Sequence, residues 1–283
     1  MISCKKILFL LLFLLPLHGI NAQEPKAVTI SYEYNELKSG NDTYATNHDY
    51  CEYCIVVDFS LTGYKVVPDK QTIILYPGRN FLFLLKNEKF GSSNWYYRYY
   101  KGYINANVNA DYCYALPVVP GDSVRIEHGG RNGTRFNLRQ VSDTVYACRG
   151  GIVCNDDFIA KNLKGKQLTI YHKDGTFAQY SALQEILVTS GSKVKTGMPV
   201  AIVNTDYKDA HFVELKIYFL DKNKMNDNES GDKYTTLRPF FHTQNHEPER
   251  LEENIIYIGE ITDEMLMQDM SAKEKKQYLK KKK

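Results

Sequence analysis

Long apolar segments are almost missing from this chain, and their absence excludes a helical membrane protein. Residues 7–17 form the main apolar run, too short to cross a bilayer, and no later run is long enough. Strong charge of either sign is also missing: 36 Lys and Arg stand against 33 Asp and Glu, a net +3. That balance is too mild to imply nucleic acid, and no glycine-rich phosphate loop is present. A second CxxC is lacking after Cys51 and Cys54. Without it a zinc knuckle has only half its ligands, and no helical pattern starts there as a redox motif requires.

What is present begins with Lys5 and Lys6, the run 7–17, and Asn21-Ala22 before Gln23. This order predicts a removable signal peptide over 1–22 and a periplasmic or secreted mature chain. Cys4 lies before the apolar run rather than in a lipobox, so no lipid anchor is expected. Cys51, Cys54, Cys113, Cys148 and Cys154 remain, an odd number. An oxidising compartment favours one or two structural disulfides, with Cys148 and Cys154 close enough in sequence to be candidates.

The 283 residues allow two domains. Over 23–120, apolar and polar residues alternate between turn signals at 53–61, 71–76, 80–85 and 95–103, which predicts a β-sandwich. The tyrosines of 95–103 suit either a half-buried strand or a sugar-stacking surface. Over 121–262 a second β-domain is expected, and over 263–283 a short basic helix opened by a Ser271/Glu274 capping box. The lysines of that tail, Lys273 to Lys283, offer a weak contact to an anionic surface or simply a solvated end.

The second domain carries the specific pattern. Residues 145–153 read as strand, Gly-Gly turn and strand; residues 168–183 are two alternating runs around Asp174-Gly175; residues 186–202 repeat the theme through Gly191 and Gly197; residues 212–219 close it. In order and wording these segments resemble the LytM/lysostaphin-type zinc metalloendopeptidases, which write them as GTPVYAARDGxVV, DGTxxxYxHL, VKVGxxVKxGQxIG and HLHF. Leu116-Pro117 and Pro120-Gly121 resemble the LPxxxG phrase of secreted Bacteroidetes members, which would carry the likeness into the first domain. The resemblance implies an all-β duplicated hybrid motif holding one zinc ion, with two further histidines orienting the water and stabilising the oxyanion.

At the positions the family uses, this chain differs. The YxHL histidine falls on Ala182, whose methyl neither accepts a proton nor donates to an oxyanion. In 212–219 the apolar row is Val213, Leu215, Ile217 and Phe219, which turns Phe212, Glu214, Lys216 and Tyr218 to the site. The HLH pair then becomes Glu214 and Lys216. An ammonium about 4 Å from a dication is repelled by roughly 8 kcal/mol at an effective dielectric near 20. Of the first two ligands, His128 is retained and the aspartate becomes Asn137, a poorer ligand; a lone surviving histidine is more often a solvated loop residue. A competing register puts His211 at the ligand position and Asp209 in place of the first histidine.

The expectation is therefore a catalytically inactive, zinc-free homologue, its former metal positions at His128, Asn137 and Lys216, with His211 as the alternative. Its groove, lined by Glu214, Lys216, Tyr218 and Tyr180, would bind peptidoglycan stem peptides or a partner cell-wall hydrolase. Two readings stand beside it. One is an active zinc endopeptidase using His128, His211 and a third ligand; the other is a structural or adhesive envelope protein working through its sandwich.

Overall fold

The computed structural model describes residues 26–59, 65–67, 71–86, 95–128, 133–138, 143–156, 165–205, 211–225, 231–244 and 246–282. The expected leader over 1–22 and Asp209 fall outside this set. Among the described residues the architecture is all-β, with helices only at Asp263–Met267 and Ala272–Lys282 and two short 3-10 turns. No helix among them is long and apolar enough to cross a membrane.

Two sheets make up the first part. One runs Val28–Asn35, Gly40–Asn47, Gly78–Lys86 and Lys65–Val67; the other places Tyr53–Asp58 between Thr72–Leu75 and Tyr96–Lys101. Their inward residues share one apolar cluster, with Val28, Ala45, Phe83 and Leu85 from the first and Tyr53, Ile55, Val57 and Leu75 from the second. The tyrosine-rich segment is a strand at the edge of its sheet. Trp95 packs edge-on to Phe83, whereas Tyr96 is exposed.

The second part is one large, bent sheet ordered Lys193–Val194, Gly151–Val153, Lys166–Tyr171, Phe177–Ile186, Phe212–Leu220, Thr134–Asn137, Ser123–His128 and Ile256–Ile258. Thr144–Tyr146 joins through Pro199–Val203, which also pairs with Phe177–Ile186. The Asp174-Gly175 hairpin forms as its glycine predicts, joining Lys166–Tyr171 to Phe177–Ile186, but the expected Gly150-Gly151 hairpin does not: Thr144–Tyr146 pairs with Pro199–Val203, and Gly151–Val153 with Lys166–Tyr171 and Lys193–Val194. At Gly175 the backbone is left-handed, φ +88°, and its N–H donates to the His172 carbonyl at 3.0 Å, closing the Asp-Gly turn as only glycine does without strain.

Phe212–Leu220 is the central strand. Phe177–Ile186 covers one of its edges, while the other edge changes partner midway, from Thr134–Asn137 opposite residues 212–215 to Tyr234–Leu237 opposite 217–220. Strand pairing does not stop at Pro120: Cys113–Tyr114 runs parallel to Phe240–Thr243, and Tyr112, Tyr114, Leu116 and Val118 lie in the core of the large sheet. The carboxyl-terminal helix has its capping box, with the Ser271 N–H donating to Glu274 Oε2 at 2.7 Å and the Glu274 N–H returning to Ser271 Oγ at 3.3 Å.

Candidate functional site

Alternation along the central strand sorts its side chains as expected. Val213, Leu215 and Ile217 are buried in the main core, and Phe212, Glu214 and Lys216 are on the other face, half-exposed. At the far end the expectation fails, for Leu220 rather than Phe219 is the buried residue. There the strand leaves the core of the large sheet and enters a separate cluster with Cys54 and Ile104.

The register then assembles a polar row across four strands. Glu127 stands opposite Arg135, Arg135 opposite Glu214, and Glu214 opposite Ser181. Arg135 donates from Nε at 3.1 Å and from Nη2 at 2.6 Å to one oxygen of Glu214. Its guanidinium also lies 4.1 Å from the centre of the Phe212 ring, close enough for a cation–π contact. Asn137, two residues along the same face, donates from Nδ2 to Glu127 Oε1 at 2.5 Å. The Lys216 ammonium lies 5.4 Å from the centre of the Tyr218 ring. Where the Thr134–Asn137 and Tyr234–Leu237 strands diverge, a cleft of about 380 Å³ opens, lined by Glu127, Thr134, Thr236, Arg238 and Glu253 among others.

Two groove assignments need correction. Tyr180 is wholly buried, because its strand pairs it with Leu215 on the core side, and its hydroxyl accepts the Cys148 N–H at 2.8 Å. A phenol can sit in a core when its oxygen finds such a partner. Tyr218 has the expected parity, yet its ring is engaged: it stacks on Phe177 at 5.2 Å and meets Tyr234 edge-on at 5.5 Å. It belongs to the seam with the first part rather than to an open floor.

Ala182 has a left-handed backbone, φ +66°, costly for a residue with a Cβ, and sits where the strand slips register against Lys166–Tyr171. The His128/His211 pairing does not hold. His128 ends its strand opposite Thr134, and the His211 carbonyl accepts the Leu138 N–H at the other end of Thr134–Asn137. Their backbones are therefore about 13 Å apart along the strands and about 10 Å across them. Two imidazoles bonded to one zinc at about 2 Å do not bridge that span. The His211 ring instead lies 3.3 Å from Asp143 Oδ1.

This donor set does not fit a zinc ion. Its central carboxylate, Glu214, is held twice by a guanidinium, an ammonium stands two residues along, and the Asn137 amide is turned to Glu127. A dication placed among Arg135 and Lys216 would face two fixed positive charges.

Two buried clusters escaped the sequence reading. Arg149 is only 2% exposed. Its guanidinium reaches Asp174 at 2.9 Å and Asp269 at 3.0 and 2.8 Å and lies 3.5 Å over the Tyr112 ring. An arginine beside a Gly-Gly turn reads as exposed, and no local pattern signals a partner 120 residues away. The second cluster gathers Asp49, Cys51 and Cys154, with ligand atoms all within 4.8 Å of one another. Arg135 was not singled out from sequence either, although the alternation that puts it on the face of Asn137, two residues on, is a signal that could have found it.

Residues 121–226 match the family model of peptidase family M23. Among solved structures, the chain aligns with Csd3 of Helicobacter pylori at 12% identity, covering 89% of this chain and 83% of that one, with a TM-score of 0.29. A zinc-containing peptidase from Vibrio cholerae aligns at 12% identity over 66% and 81%, TM-score 0.26. The deep-sea metalloprotease pseudoalterin aligns at 14% over 39% and 71%, TM-score 0.30. No curated protein matches the chain.

Proposed function

We propose that this protein, whose residues 121–226 belong to peptidase family M23, is a secreted, catalytically silent member that binds peptidoglycan stem peptides, or a hydrolase acting on them, without cutting. The observation that carries the reading is the Arg135–Glu214 pair, 2.6 Å apart, since the family resemblance places the first histidine of its HLH pair at Glu214. A site that already holds its own fixed cation has no need of a metal to bind an anionic group. Arg135 and Lys216 provide positive charge for stem-peptide carboxylates, Glu214 and Glu127 provide acceptors for its amines, and the adjoining cleft provides a recess of peptide size. Binding needs only these groups, whereas hydrolysis needs an activated water, and Ala182 supplies no group to orient one.

The test joins metal analysis, cleavage and binding on the same purified protein. Incubation with zinc followed by dialysis is expected to leave far less than one ion per chain at this face, and a cross-linked peptide is expected to remain intact. Pull-down on purified peptidoglycan should retain the protein, and Arg135→Ala or Glu214→Ala should weaken retention about tenfold, the loss of a charge-assisted contact. Turnover with stoichiometric zinc would overturn the proposal. Retention unchanged in both variants would move the working surface to the first part of the chain.

A further inference from the structure

We propose that Cys51 and Cys154 form a disulfide that ties the first part of the fold to the large sheet, closed by exchange with a low-molecular-weight disulfide as the two parts come together. The two residues are 103 positions apart in sequence, yet their sulfurs lie within 4.8 Å of each other inside one buried cluster. An S–S bond of about 2.05 Å requires only that the two side chains close a gap of less than about 3 Å.

The surrounding contacts hold the backbones on both sides in place. Asp49 accepts the N–H of Tyr50, next to Cys51, at 2.7 Å, and the N–H of Asn155, next to Cys154, also at 2.7 Å. Its other oxygen accepts the Tyr53 hydroxyl at 3.1 Å and pairs with the Lys101 ammonium at 3.0 Å. The Cys51 carbonyl accepts Asn47 Nδ2 at 2.8 Å, and the Cys154 N–H donates to the Thr169 carbonyl at 2.9 Å.

The same contacts argue against a metal in this cluster. Both Asp49 oxygens are already occupied, one by two backbone N–H groups and the other by a hydroxyl and an ammonium. A cation bridging the two sulfurs would displace Lys101 or sit against it. The other cysteines are placed elsewhere. Cys54, although three residues from Cys51, belongs to a different cluster. Cys148, the partner expected from sequence, is in the main core beside the Tyr180 hydroxyl.

The chemistry balances through two exchanges. The thiolate of one cysteine attacks the small disulfide and releases one small thiolate; the thiolate of the other attacks the resulting mixed disulfide and releases the second. Two protons leave the protein, and the two electrons reduce the small disulfide to two thiols. Burial pushes the Cys51 thiol well above its ordinary range, so exchange belongs to the partly open chain and the closed bond is sheltered from reductant.

The full chain, refolded in oxidised and reduced glutathione, acid-quenched, alkylated and digested, should yield a Cys51–Cys154 linked peptide, with Cys54, Cys113 and Cys148 alkylated. Reduction should lower Tm by about 10 °C, as expected for opening a loop of this length in a chain of this size. Cys51→Ser and Cys154→Ser should start from the lower Tm and ignore reductant. Alkylated Cys51 and Cys154 in the refolded chain, a Cys148–Cys154 link, or stoichiometric zinc that Cys51→Ser abolishes would each overturn the proposal. Should the serine variants fail to fold, the peptide map of the unsubstituted chain decides alone.

Discussion

At the scale of single residues, His172 shows how burial dictates charge. Its Nδ1 lies 2.8 Å from the Gly150 carbonyl, which assigns the proton to Nδ1, and its Nε2 is buried with no hydrogen-bond partner among the described residues. Desolvation, reinforced by the Arg149 charge, lowers its pKa to about 4. The unfolded imidazole titrates near 6.5, so the unfolded chain binds the extra proton first as pH falls. The stability that neutral His172 permits is complete above about pH 6.5 and is lost progressively down to about pH 4, at most about 3 kcal/mol in all. Urea unfolding of wild type and His172→Asn at pH 7.5 and 4.5 measures it: wild type should lose about 2 to 3 kcal/mol more than the variant across that interval. Equal losses would assign the acid sensitivity to other groups. Residues of this kind divide what a sequence discloses. Glu214 and Lys216 were placeable because a half-exposed strand alternates, and their burial follows that alternation. Tyr180 was not, since a phenol suits either face and only the Cys148 N–H decides which.

At the scale of elements, the Asp174-Gly175 hairpin was legible because its glycine is required for a local reason that local sequence reports, whereas Gly150-Gly151 reads as a hairpin turn and is not one, since Gly151 is fixed by a strand distant in sequence. A Cβ on Gly151 would lie 2.3 Å from the Tyr171 carbonyl oxygen, a backbone atom that cannot yield without parting Gly151–Val153 from Lys166–Tyr171. Gly151→Ala should therefore cost about 3 kcal/mol, while Gly231→Ala, with nothing within 4 Å, should stay within about 0.5 kcal/mol. Midpoints of urea denaturation at constant slope read both; equal midpoints would mean the two strands are not held at this spacing. Less legible was the anchoring of the carboxyl-terminal segment. Its helix buries no residue, and the segment before it is gripped by Asp269 on Arg149 and Tyr112 and by Gln268 on the Cys113 backbone, contacts between distant residues that neither periodicity nor capping announces.

Over the whole molecule, the two parts meet through a seam of aromatic rings. Phe177 is fully buried within the cluster of the first part and contacts Tyr171 at 4.8 Å and Tyr218 at 5.2 Å. Gly102 fits so closely that a Cβ would touch both Phe177 and Leu220 at 3.1 Å. Such a seam makes the parts unfold together. Calorimetry of the native chain should show one transition, and Phe177→Ala, costing about 3 to 5 kcal/mol, should divide it into two. Two transitions in the unsubstituted chain would mean that the seam contributes little. The seam was hidden from sequence because its residues belong to strands whose alternation is explained equally well by a single sheet's own core. Asp49 adds a polar clasp at the same junction, receiving hydrogen bonds from residues 50 and 53 on one side and 155 on the other. Covalent continuity through the connecting segment near residues 105–111 is thus not what keeps the halves assembled. A chain cleaved there by a protease would elute as one particle in gel filtration, and separately expressed fragments would be able to complement each other.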